Sequence, residues 1–227
     1  AAPALKRVTL ELGGSDPMIV CDEADIPMAV EGAVRGRVYN CGQTCTAVKR
    51  LYVFDSIADE FIRRLRSRVE SIVVGNGMDR GVDMGPLNNP AGLERVVREV
   101  DAVCEHRDGE IVTGGQAPRG EGYERGFFFL PTLVTGLSHD SPLFSEEVFG
   151  PVLPVATVAD LDEALIRAND SRYGLGASVW TRNADLIARA TEGLEAGIVW
   201  VNQHLKIPPE VPFGGTKGSG IGRENGS

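Results

Sequence analysis

Residues 152–202 read VLPVATVADLDEALIRANDSRYGLGASVWTRNADLIARATEGLEAGIVWVN, and the rhythm of that stretch decides the fold. Val152 to Val158 is a short apolar run of strand type, Leu161 to Ala168 repeats its apolar residues at helical spacing, and Ala177 to Thr181 is again strand-like. Asp185 to Leu194 then reads as a helix and Ile198 to Asn202 as a strand. Strands that alternate with helices imply βαβ crossovers, which lay helices on both faces of a parallel sheet. The stretch predicts a three-layer α/β/α domain with a largely parallel sheet.

The same alternation continues toward the amino end. Val8 to Leu12 and Met18 to Val20 are apolar runs separated by Gly13-Gly14-Ser15-Asp16-Pro17, the pattern of strand, turn and strand. Ala29, Val30, Ala33, Val34 and Val38 recur at three and four, predicting a helix from Ile26 to Val38 that ends near Asn40. Leu51 to Phe54 is strand-like, after which Asp55 and Ser56 can cap a helix with Phe61, Ile62, Leu65, Val69 and Ile72 on its core face. Arg63, Arg64, Arg66 and Arg68 share that helix with Asp59, Glu60 and Glu70, so its polar face reads as solvated rather than anion-binding. Gly75 to Pro86 is a loop, Leu93 to Cys104 a helix, and Ile111 to Thr113 a strand closed by Gly114-Gly115. The candidate linkers are Gln116 to Gly126 and Ile207 to Pro212.

A chain of 227 residues, 42% hydrophobic, can bury a substantial core. Its net charge of −9, from 23 basic and 32 acidic residues, disfavours a nucleic-acid partner, because phosphate binders present a cationic footprint. No uncharged apolar run reaches the roughly 20 residues a membrane span needs. Ala1 to Lys6 carries no signal-peptide pattern, so the expected location is cytoplasmic. The cysteines at 21, 41, 45 and 104 show no repeated spacing and are expected to be reduced. Histidines 106, 139 and 204 are scattered, with neither CxxC nor HExxH, so no metal site is expected. Lys217 follows glycines, but GxxxxGK[ST] is absent, which rejects a phosphate loop. No G-x-S-x-G elbow suggests a serine hydrolase.

Two residue types in the amino-terminal quarter name a chemistry. Cys45, in Asn40-Cys41-Gly42-Gln43-Thr44-Cys45-Thr46-Ala47, is a candidate thiol nucleophile, and Glu11, in Leu10-Glu11-Leu12-Gly13-Gly14, a candidate carboxylate base. A thiolate adds to a carbonyl carbon, and a carboxylate activates the water that later releases the acyl group. Lys49, Arg50 and nearby backbone N–H groups are expected to help ionise the thiol. Outside this context, Cys45 would read as a small buried hydrophobe and Glu11 as a solvated edge-strand acid.

Together ELGG and GQTC resemble the aldehyde dehydrogenase superfamily. Two further segments are similar to that family's motifs: Glu146-Glu147-Val148-Phe149-Gly150-Pro151, and Pro212-Phe213-Gly214-Gly215-Thr216-Lys217-Gly218-Ser219-Gly220-Ile221-Gly222-Arg223-Glu224. The resemblance implies a catalytic domain of the aldehyde dehydrogenase type over residues 1–227, with the family's amino-terminal cofactor domain not included and 207–227 packing against it. It implies NAD or NADP as cofactor and oxidation of a small-molecule aldehyde to its acid through a thiohemiacetal and a thioester. Cys45 is then the nucleophile and Glu11 the base. Glu147 and Phe149 meet the nicotinamide ribose and ring, with Leu12 and Gly13 beside them, while Thr44, Thr46 and His204 touch substrate.

The backbone N–H of Cys45 would form part of an oxyanion hole, by the same resemblance. Cys41 is either a tunnel wall or a packing residue, and Gln203, Leu205 and Ile207 lie near the aldehyde entrance. His106 stands near where relatives carry a ribose-contacting glutamine. Relatives are homodimers or homotetramers. A carboxylate base favours hydrolysis over transfer to coenzyme A. The 227 residues alone are expected to be inactive, and the alternative reading is a fold unit or binding module that retains the motifs without turnover.

Overall fold

The computed structural model describes residues 2–106 and 109–226. Strand β1 (Leu10–Glu11) is followed by β2 (Asp16–Val20), helix α1 (Ile26–Val38), β3 (Val48–Phe54), α2 (Asp55–Glu70) and α3 (Pro90–His106). Then come β4 (Glu110–Thr113), β5 (Thr132–Thr135), the short α4 (Pro142–Ser145), β6 (Val152–Val158) and α5 (Leu161–Asn169). Strand β7 (Gly176–Trp180), α6 (Ala184–Gly193), β8 (Ile198–Val201) and β9 (Gly220–Ile221) complete the order. The main sheet runs β4-β5-β6-β3-β2-β7-β8. Every neighbour pair in it is parallel except β4 with β5, so the largely parallel sheet is present.

Strand side chains alternate between faces, and that alternation divides the core in two. Met18, Val20, Leu51, Val53, Leu153 and Val155 pack with α1 and α2, around Val34, Phe61 and Leu65. Ile19, Cys21, Tyr52, Phe54, Val152 and Val158 face the other way, onto Val96, Val100, Leu161 and Ala190. Both faces are covered, as the near-continuous apolar runs of β2, β3 and β7 require. Asp25 caps α1 by accepting from Met28 N at 3.1 Å, with Pro27 in the first turn where its missing N–H costs nothing.

Several expectations are corrected. The run Val8 to Leu12 does not join the main sheet: only Leu10 and Glu11 pair, antiparallel, with Ile221 and Gly220. Strand β3 begins at Val48 rather than Leu51, because the charged Lys49 and Arg50 are themselves buried in it. Strand β5 and helix α4 were not anticipated, being four residues each and too short to show a period. The side chain of His106 lies outside the described residues, and so does the expectation attached to it. Among the described residues no helix is long and apolar enough to cross a membrane.

Candidate functional site

The loops that enter β2, β3, β6, β7 and β8 meet at the amino ends of these parallel strands. Gly14 N donates to Glu147 Oε1 at 3.1 Å, joining the loop before β2 to that before β6. A Cβ on Gly14 would stand 2.6 Å from Cys45 O and 3.0 Å from Leu175 Cβ, so glycine there lets the loops before β3 and β7 close in. Thr216 N donates to Gly174 O at 2.8 Å, and Gly174 N to Ser219 Oγ at 3.0 Å, fastening the carboxyl-terminal segment to the same cluster. Ligands of open parallel sheets commonly sit at the carboxyl ends of the strands. Here all four motifs gather at the opposite edge.

The Cys45 loop leaves α1 through Asn40, Cys41 and Gly42, all with positive φ (50°, 56° and 72°). Left-handed backbone at two consecutive non-glycine residues is costly and survives only where the surroundings hold it. Buried Arg37 does so: its guanidinium donates to Gly42 O at 2.8 Å, Val48 O at 3.1 Å and Val148 O at 3.2 Å. A side chain on Gly42 would strike Gly150 O at 2.2 Å, so the GQTC and EEVFGP segments are in backbone contact.

Cys45 is half-buried. Burial raises its thiol pKa, Lys49 draws it back, Asp16 pushes it up again, and the backbone N–H groups of Thr46 and Cys45 lower it. The net direction is upward, which corrects the expectation of an ionisation-prone thiol: the cation and amides are present, but desolvation outweighs them. Cys41 is held further from reaction, fully packed and with its thiol pushed up to about 12 by burial.

Glu11 is turned toward the carboxyl-terminal segment. Its Oε1 lies 3.1 Å from where a Cβ on Gly214 would stand, and both oxygens are shielded from water without a hydrogen-bond partner. Its pKa is raised, first by desolvation and next by the charge of Glu224; Arg223 and the Gly215 amide oppose this. Unpartnered shielded carboxylates are rare in purely structural positions, and a raised pKa makes this one a better proton acceptor than an ordinary carboxylate.

Glu147 Oε1 accepts from Gly14 N and from Lys49 Nζ, the latter at 3.1 Å, while Oε2 lies over Gly13, where a Cβ would approach to 2.5 Å. Gly13 is thus required for the carboxylate to sit where it does. Phe149 is 36% exposed, and Lys49 Nζ lies 5.9 Å from its ring centroid. Leu12 is 48% exposed, with its N–H on Ser219 O. Thr44 is half-buried and gives its carbonyl to Lys49.

Thr46 and His204 do not present their side chains as expected. Thr46 is buried, and the His204 side chain is enclosed between Ser178 Oγ, 2.9 Å from Nδ1, and Thr46 O, 2.8 Å from Nε2. Substrate contact by the His204 ring is corrected to support of the Cys45 loop from beneath, since the chain after β8 turns the ring inward onto Trp200.

Sequence reasoning missed the acid beneath this loop. Asp16 is fully buried; its Oδ1 accepts from Gly176 N at 3.0 Å, and its Oδ2 has no partner within hydrogen-bond reach. Burial pushes its pKa up to about 7 against the pull of Lys49, while burial pushes His204 down to about 4. The two are 4.0 Å apart, but a neutral imidazole makes no ion pair. The sequence signal was a lone acid opening a buried strand, with two bases inside the next.

These two groups oppose each other in stability against pH. Between about 3.8 and 7 the folded state keeps a proton on Asp16 that the unfolded chain releases, so stability falls as pH rises. Between about 4 and 6.5 the unfolded chain protonates His204 while the folded state does not, so stability rises. Each slope is about 1.4 kcal/mol per pH unit, and they cancel. Asp16→Asn is therefore expected to give a stability that climbs steadily from pH 4 to 6.5, and His204→Gln one that falls. Urea midpoints at several pH values distinguish these; three parallel profiles would show that neither group is perturbed.

Comparison with known proteins accounts for this arrangement. The profile of the aldehyde dehydrogenase family matches residues 1–227. The chain is 45% identical over 225 residues to phenylacetaldehyde dehydrogenase of Pseudomonas fluorescens, covering 99% of this chain and 44% of that one. Betaine aldehyde dehydrogenase of Brucella anthropi is 40% identical over 226 residues, covering 100% and 46%. A point mutant of betaine aldehyde dehydrogenase from Staphylococcus aureus, solved in complex with NAD+ and with a BME-modified cysteine, superposes with a TM-score of 0.95 at 37% identity, covering 100% of this chain and 46% of that one. The chain thus spans less than half the length of these relatives. A match that runs from the first residue to the last at such identity leaves one assignment: the chain belongs to the aldehyde dehydrogenase family.

Proposed function

We propose that this chain supplies the catalytic half of an NAD(P)-dependent aldehyde dehydrogenase. The observation that supports the reading is the contact of Gly14, three residues after Glu11, with Glu147 and with the Cys45 carbonyl, which brings the loops of the proposed nucleophile and the proposed ribose acceptor together. A bound nicotinamide supplies the hydride acceptor. Glu147 suits its ribose, because Oε1 is already fixed by two donors while Oε2 can accept hydroxyls, and half-exposed Phe149 offers a ring face. That a relative of the same fold is solved with NAD+ supports this fit.

Cys45 Sγ bonds the aldehyde carbon, holding it first as a thiohemiacetal and, after oxidation, as a thioester. Glu11 takes the proton of the water that cleaves the thioester, releasing the acid and restoring the thiol. Turnover requires the portion of the relatives that these 227 residues do not cover.

The test compares the 227-residue chain with a longer protein carrying it. Each is incubated with NAD+ or NADP+ and a panel of aldehydes, following absorbance of the reduced nicotinamide. Turnover is expected only from the longer protein. Silence with every aldehyde, together with resistance of Cys45 to iodoacetamide, would leave the motif-bearing fold without catalysis.

A further inference from the structure

Lys49 is the second residue of β3, and its side chain is wholly buried. Its Nζ lies 2.9 Å from Thr44 O, 2.7 Å from Cys45 O and 3.1 Å from Glu147 Oε1. An ammonium has three N–H donors, and these three acceptors use all of them. An ion held this way is a fixed element, since moving it would strand a buried charge.

The peptide unit is planar and trans, so its C=O and N–H point in opposite directions. The carbonyl of Thr44 shares a plane with the N–H of Cys45, and the carbonyl of Cys45 with the N–H of Thr46. Both N–H groups act on the Cys45 thiol, pulling its pKa down. Pinning two successive carbonyls from the interior therefore aims two successive N–H groups outward at the reacting atom. Donation from a cation into a carbonyl also polarises the amide and strengthens its N–H as a donor.

We propose that Lys49 is the positioning residue of the nucleophile loop: by holding the carbonyls of Thr44 and Cys45 it aims the amides of Cys45 and Thr46 at the sulfur, and through Glu147 it couples that aim to the proposed ribose carboxylate. The inference rests on Cys45 being the nucleophile. Lys49 touches neither the aldehyde nor the sulfur in this scheme. The charged groups that act on Cys45 are Lys49 from β3 and Asp16 from β2, of opposite effect.

The sign of the response separates positioning from mere support. Burial is what chiefly raises the Cys45 thiol, so a loop that simply loosened would admit water, lower the titration midpoint and speed alkylation. Loss of the cation and of the two aimed amides acts the other way. The experiment measures iodoacetamide alkylation of Cys45 in the 227-residue chain by mass spectrometry from pH 6 to 10. Exposed Cys104 serves as internal control, and circular dichroism monitors folding.

Lys49→Met is expected to raise the Cys45 midpoint by about one pH unit and slow its alkylation near neutrality about tenfold, leaving Cys104 unchanged. Lys49→Arg keeps a cation, but its planar fork does not place one nitrogen on three oxygens, so its midpoint is expected between the other two. A folded Met variant whose Cys45 titrates at or below the wild-type midpoint overturns the proposal. Should that variant not fold, the Arg variant decides, and a wild-type midpoint and rate there overturn it. Wild-type Cys45 that resists alkylation at every pH overturns the nucleophile assignment itself and takes this proposal with it; a reactive wild type confines any failure to Lys49.

Discussion

Cys45→Ala, introduced into a longer protein carrying this chain, is expected to abolish aldehyde-dependent reduction of the nicotinamide by about 10⁴-fold or more, equivalent to roughly 5.5 kcal/mol of barrier. The size follows from the proposed role: without sulfur there is no covalent adduct, and the proposed base and ribose carboxylate have nothing to act on. Cofactor affinity is expected to change little, because Glu147 is held by Gly14 and Lys49 rather than by the thiol. Cys41→Ala is the control. That cysteine packs in the core with its thiol pushed up to about 12, and its loss is expected to lower stability while sparing most of the rate. Steady-state kinetics with cofactor titration checks both, and a Cys41 variant as dead as the Cys45 variant would transfer the nucleophile to the wrong sulfur for this reading.

Glu11→Gln is expected to leave the first half of the reaction and slow the second by about 10²- to 10⁴-fold, the usual worth of a general base. Rapid mixing should show a burst of reduced nicotinamide close to one per Cys45, followed by slow release. Hydroxylamine, which attacks a thioester without needing its proton removed first, is expected to restore turnover. In the unaltered protein, desolvation and the nearby Glu224 raise the Glu11 pKa. The deacylation rate should therefore fall as pH drops through a midpoint above the ordinary carboxylate value, and that limb should vanish in the Gln variant. Unchanged steady-state turnover in Glu11→Gln would remove this carboxylate from the chemistry.

Local periodicity made most of the framework legible. Helices α1, α2, α5 and α6 stand within a residue or two of their expected bounds, because an amphipathic repeat is written in consecutive residues and read without knowing what it packs against. Strand β1 was a different case. Val8 to Leu12 had the composition of a sheet strand, yet only two of its residues pair, and the partner β9 lies near the other end of the chain. Nothing local in either segment announces that partner. In β3, the run Val48-Lys49-Arg50-Leu51-Tyr52-Val53-Phe54 looked as though its charges ended the strand; instead both bases are buried, because Thr44, Cys45, Glu147, Ser15 and Arg167 all bring acceptors to them.

By itself the sequence determined the alternation of strand and helix, hence a parallel sheet covered on both faces, and it placed Glu11, Cys45, and Glu147 with Phe149 in three recognisable segments. The tertiary structure alone decided that the loops bearing them meet at the amino ends of the strands, that the His204 ring turns inward beneath Thr46, and that burial holds the Cys45 thiol up while Lys49 pulls it down. The reason is physical. Secondary structure follows from the order of side chains along a short segment, whereas burial, field and hydrogen-bond partners belong to residues that only folding brings together.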